Sequence, residues 1–97
     1  MNKNVFDISE DTVVVTSTYI VKEKMPILYV MHEFDEVEGV IWQFHSGNND
    51  YETDKILLVS LKNILNIDTT ISDVSNLPVG FIARRKFIGD EWVFCQE

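Results

Sequence analysis

Two histidines, one cysteine and sixteen carboxylates are the side chains of this 97-residue chain with the chemistry to act on a substrate or hold a metal. His32 and His45 fall on two apolar segments that can pair as a hairpin, and a suitable register would put both rings on one face. Zinc takes three or four close nitrogen, sulfur or carboxylate ligands at defined spacing. No cysteine pair, no His-Glu-x-x-His run and no second histidine cluster supplies the remainder, so no metal centre is expected. Both histidines read as sheet-packed or edge residues.

The loop Asn48-Asn49-Asp50-Tyr51-Glu52-Thr53-Asp54 places oxygens at alternating positions, as calcium loops do. An EF-hand loop needs Gly at its sixth position and a bidentate Glu at its twelfth. Counted from Asn48, those positions are Thr53 and Val59, so the loop is expected to be solvated, with Asx side chains holding its turns. General acid–base catalysis by paired carboxylates needs a raised pKa in an apolar pocket, and these acids gather in turns. Cys95, among Trp92, Val93 and Phe94, reads as a small core or edge thiol rather than a nucleophile. The four glycines are isolated, so no phosphate-cradling loop and no cofactor site is expected. The chain is expected to be no enzyme.

Charge narrows the partners. Sixteen Asp and Glu against eight Lys and Arg give −8 and a pI near 4.6. Such a surface repels phosphate backbones and anionic membranes, so neither nucleic acid nor a lipid surface is an expected partner. It steers toward basic proteins, although acidic surfaces also serve solubility alone. Arg84-Arg85-Lys86, the one basic cluster, is expected to pair with local carboxylates or an anion. Apolar runs such as Ile56–Val59 fall far short of the roughly 20 residues of a membrane span. Met1–Asp7 shows no secretory signal, and one cysteine cannot form an internal disulfide, so the expected location is a reducing cytoplasm.

The elements that position these residues read as one domain, 1–97. Such a length buries about 60–70% of its unfolded surface, enough for a modest core. Thr12–Ser17 is β-branched and reads as a strand; Tyr19–Met25 reads as a helical turn or a strand continuation, ended by Pro26. Ile27–Phe34 and Val40–His45, joined by the charged turn Asp35–Gly39, read as an antiparallel hairpin. Both strands are apolar on both faces, which predicts the middle of the sheet with a layer on each side. Trp42 and Phe44 then belong to the core. Ile56–Val59 reads as a short strand, followed by a helix over Leu61–Asn66 capped by Ser60. Thr69–Leu77 reads as a second helical turn with Ser72 as its cap, and Val79–Arg85 with Glu91–Cys95 as a closing hairpin. Residues 1–11 are expected to lead in loosely or add a short edge. The prediction is an α+β domain: a mainly antiparallel sheet of five or six strands, with one or two short helices between the central and C-terminal hairpins.

Glu33, Asp35, Glu36, Glu38, Asp50, Glu52 and Asp54 fall just before or after the Trp42 strand, although the hairpin puts the two groups near opposite ends of it. Aromatic groups beside carboxylates suit a protein interface facing a basic partner. The expected partner-contacting set is those seven acids with Gln43, His45, Asn48, Asn49 and Tyr51.

Tyr29-Val30-Met31-His32-Glu33 followed by Ile41-Trp42-Gln43-Phe44-His45-Ser46-Gly47-Asn48-Asn49 resembles a bacterial family. There a Y-x-x-R-E strand precedes a G-W-R-F-x-S-G-D-E segment. Leu61–Asp68 resembles its helix, and Leu77-Pro78-Val79-Gly80 with Arg84 or Arg85 resembles its closing P-x-G and arginine strand. This is the immunity protein 33 type, also described as domain of unknown function 2185, and the resemblance runs from about residue 13 to 95. It implies a small cytoplasmic domain that neutralises a toxin of a polymorphic toxin system by binding it. His32, Ile41, Gln43 and Asn48-Asn49 depart from the family pattern. Where those positions bind, this chain is expected to take something different or nothing comparable. The alternative is a stand-alone structural or regulatory domain that pairs with itself through a sheet edge.

Overall fold

In the computed structural model, which describes residues 6–48, 50 and 52–96, six strands and two α-helices follow one another along the chain. They are β1 (Val13–Ser17), α1 (Thr18–Val21), β2 (Tyr29–Asp35), β3 (Gly39–His45), β4 (Ile56–Ser60), α2 (Leu61–Ile67), β5 (Phe81–Arg84) and β6 (Val93–Gln96). A 3-10 turn at Thr53–Lys55 leads into β4, and a longer 3-10 helix, Thr69–Val74, follows α2. The strands form one sheet in the order β4-β1-β3-β2-β5-β6. Every neighbouring pair is antiparallel except β1 with β3. The expected α+β fold is found, and the β2–β3 hairpin is its centre.

Alternation along the strands divides the side chains between two faces. Val14 and Thr16 of β1, Val30 and His32 of β2, Trp42 and Phe44 of β3 and Ala83 of β5 share one face, and all are buried. Over it lie Leu61 and Ile64 of α2, Ile71 and Val74 of the 3-10 helix, and Leu77, each at most 2% exposed. Phe6 sits edge-on to Trp42 at 5.0 Å between ring centroids, so the chain is in the core from the first described residue, residues 1–5 of the expected leader lying outside the described ones. Ser60 caps α2 by accepting the Asn63 N–H, as its position predicts. The 3-10 helix is capped by Asp68, not Ser72. Asp68 has a second task, a 2.7 Å ion pair with buried Arg85. Arg85 also donates to the Ile27 carbonyl and lies 4.2 Å from the Trp92 ring, so the basic triplet contributes a core residue.

The other face carries Val13 and Val15, Tyr29, Met31 and Glu33, Ile41, Gln43 and His45, Ile56 and Leu58, Ile82 and Arg84, and Val93 and Cys95. No helix of the described residues covers it: Val13, Leu58 and Val93 are each more than 60% exposed, and Val15, Met31 and Ile41 are half-buried. The expected layer on both sides is therefore corrected to a layer on one. An apolar face shows the same pattern in sequence whether this chain or another molecule is to cover it.

The two connections at one end of the sheet overlap. The β1–β2 link must pass the end of β3, and the β3–β4 link must pass the end of β1, so they cross. The first runs on the covered side, where Ile20 and Ile27 are buried. In the second, Gly47 approaches Tyr29 of the open face; a Cβ there would meet the Tyr29 Cβ at 3.7 Å. The crossing is tied by the Tyr19 hydroxyl, which donates to Asp50.

Candidate functional site

Three of the residues singled out by sequence meet at the centre of the open face. Register puts Glu33 opposite Ile41 and Gln43 opposite Met31, so Glu33 and Gln43 are diagonal neighbours. The Gln43 amide donates to Glu33 Oε1 at 2.6 Å, and its carbonyl oxygen lies 2.9 Å from His45 Nε2. Burial pushes the His45 pKa down from 6.5 to about 4, so the ring is neutral at pH 7. A neutral ring facing a carbonyl donates from Nε2, which fixes the Gln43 amide with its nitrogen toward Glu33. The result is a polar line, His45 to Gln43 to Glu33, set into apolar surface.

Beside it lies an open groove of about 450 Å³ lined by Val15, Tyr29, Met31, Glu33, Gln43 and Ile56. Val15, Tyr29, Met31 and Ile56 were not singled out by sequence, since each also fits a core strand. The signal available was parity: all share the alternation of Glu33 and Gln43, and not that of Trp42.

The other acids do not join this groove. Asp35, Glu36 and Glu38 occupy the hairpin turn at one end of the sheet, all exposed. Asp35 accepts the Val37 and Glu38 N–H groups at 2.7 and 2.9 Å, bonds that hold its pKa below the usual carboxylate range. Asn48, Asp50, Glu52 and Asp54 lie at the other end. Asn48 accepts the Asp50 N–H, and Asp50 accepts that of Glu52, so these side chains hold the loop's turns. The Tyr19 hydroxyl lowers the Asp50 pKa, while the Tyr19 pKa is pushed up to about 12. Asn49 and Tyr51 lie outside the described residues. The acids thus form two groups separated by the length of the β2–β3 ladder, in keeping with the antiparallel hairpin.

The histidine pair is also resolved. His32 stacks on Trp42 at 3.8 Å on the covered face, with Nδ1 2.6 Å from the Leu77 carbonyl oxygen, whereas His45 lies on the opposite face. A register that presents both to one ligand is not adopted. Among the described residues no group of three His, Cys, Asp or Glu is placed to hold a metal ion. Cys95 is exposed on the edge strand β6. No described helix is long and apolar enough to cross a membrane.

Comparison of the chain with protein-family models, with curated proteins and with solved structures finds no match. The toxin-neutralising expectation therefore rests on the ordered motifs quoted above.

Proposed function

We propose that this chain is a non-catalytic, acidic binding domain that receives a basic protein partner on the open face of its sheet. The observation that supports this is the face itself: half-buried apolar side chains, which no described helix covers, around a fixed polar line. Six strands spaced by about 4.8 Å, with about five residues each, present roughly 400 Å² in projection. That area includes the polar line and Arg84; apolar patches of a few hundred Å² on a monomer are commonly interaction sites. The net charge of −8 favours a cationic partner and opposes a second copy, which would bring −8 against −8. The resemblance makes that partner a toxin domain, bound and neutralised in the cytoplasm.

Co-expression with the protein encoded by the adjacent gene tests the reading. Growth should be rescued and the two proteins should co-purify; a toxic neighbour that is neither bound nor neutralised contradicts it. Light scattering addresses the alternative: the isolated chain should run as a monomer, and a tight, salt-insensitive dimer would favour a self-pairing domain.

A further inference from the structure

We infer that β6, at one edge of the sheet, takes up an extended basic segment of the partner as an added strand. The inference rests on the binding-domain reading above and names where and how a basic partner is held. An edge strand offers alternate N–H and C=O groups to whatever lies beside it, and such a row pairs with an extended peptide. β5 takes one side of β6, and among the described residues nothing pairs with the other. Folded proteins commonly guard such an edge with lysine, proline or a bulge. Val93-Phe94-Cys95-Gln96 holds no charge and no proline, and every residue of it is exposed. β4, the opposite edge, is half-buried at every residue but Leu58.

The surroundings of β6 set the charge of the segment. Val93 stands opposite Arg84 and Cys95 opposite Ile82, so these two continue the open face, and Phe94 and Gln96 lie on the other side. Beside Phe94 on that side is a cleft of about 410 Å³, lined also by Asp73 of the 3-10 helix, Asn76, Asp90, Glu91 and Trp92. Asp90 is engaged by the Lys86 and Glu91 N–H groups at 3.1 and 2.9 Å. Asp73 and Glu91 form no ion pair among the described residues, where the basic triplet's buried member, Arg85, is paired with Asp68. Side chains of an added strand alternate as those of β6 do. One set lies beside Val93 and Cys95 at the margin of the open face; the other lies beside Phe94, where a lysine or arginine reaches the cleft. The strand and the open face are thus continuous, and one partner spans both. A second copy of this chain, with its own −8, is opposed as the source of the strand.

The first probe is an acetylated, amidated peptide Val-Lys-Val-Lys-Val-Lys-Val, which as a strand shows valine on one side and lysine on the other. Added in excess to the full chain, it should slow hydrogen exchange of alternate β6 amides by about tenfold or more, read by NMR. The same peptide N-methylated at alternate residues, and one with glutamate for lysine, should not. Asp73→Asn combined with Glu91→Gln, at two exposed positions, should leave Tm unchanged and weaken the peptide about threefold at low salt. Absent protection in β6, or equal protection by the N-methylated peptide, would overturn the added strand. Equal protection by the glutamate peptide, or an affinity unchanged by the double substitution, would overturn its basic character. Protection that rises with the concentration of the chain alone would assign the edge to a second copy instead.

The adjacent-gene protein, bound to the full chain, should protect the same amides. If Met31→Glu abolishes that binding and the native complex leaves β6 unprotected, the added strand fails while the open-face reading stands. If β6 is protected and Met31→Glu changes nothing, the open face fails while the strand stands. If the protein is not bound at all, both fail.

Discussion

The two faces of the sheet are built from the same strands and differ in what completes them. On the covered face, His32, Trp42 and Phe44 share a core with α2, the 3-10 helix and Phe6 and are at most 4% exposed, while Phe34, Val40 and Phe94 at the margins of that face remain exposed. On the open face, the residues one step along, Glu33, Gln43 and His45, form a hydrogen-bonded line amid apolar groups that the fold leaves partly exposed. The two histidines condense the contrast. His32 is locked by stacking and a backbone carbonyl inside a finished core; His45 is held neutral to orient a polar group at the surface. One face closes its apolar residues into the core, and the other leaves them partly exposed, where we propose that a partner binds.

That contrast breaks first in stability. Phe44→Ala should cost about 3–5 kcal/mol, the range for a fully buried aromatic. Met31→Ala, on the open face, should cost about 1 kcal/mol, in proportion to its smaller burial. Urea denaturation of both variants checks this; equal losses would mean that the open face is as closed as the other.

His45 sharpens the comparison through pH. Its folded pKa of about 4 lies below the ordinary 6.5, so the unfolded chain binds the extra proton between those values. Stability is therefore full above pH 6.5 and is lost as pH falls toward 4, by an amount on the order of 2 kcal/mol. His45→Gln should flatten that window in urea midpoints measured from pH 7 to 4.5. Asp35 and Asp50, whose pKa values are lowered, lose their contributions only at more acid pH. A slope unchanged by the substitution would contradict a neutral, buried His45.

The smallest effect belongs to the rim. Tyr19→Phe removes the tie at the crossing of the two connections, and the Asp50 pKa should rise toward the usual carboxylate value in an NMR titration. The stability change should be the least of the three, since both groups are at the surface.

Much of this fold is legible in the residues. The β-branched runs, the Asp35–Gly39 turn, the Ser60 cap and the two-faced apolar hairpin led to the strands, the helix and the centre of the sheet. What stayed hidden depends on long-range placement. Arg85 looks like a surface cation until Asp68, seventeen residues earlier, is folded beneath it. Asp68 looks like a helix end until it caps the next one. The parallel β1–β3 pairing and the crossed connections leave no periodic trace. The site was half legible: Glu33, as one of the acids flanking the Trp42 strand, and Gln43 and His45 were within the expected partner-contacting set, but periodicity reports only that their neighbours are apolar, not what covers them. The acidic turns drew notice by number, and the structure leaves them at the two ends of the sheet.

The affinity of the Met31→Glu variant for the adjacent-gene protein, measured by calorimetry against the native chain, tests the central claim most directly. A charge placed in the middle of the open face should weaken binding by at least about a hundredfold, the loss of a buried hot-spot contact, while Glu36→Gln in the distant turn changes it little. Native affinity in the Met31→Glu variant would show that the partner binds elsewhere and that the open face is not the site.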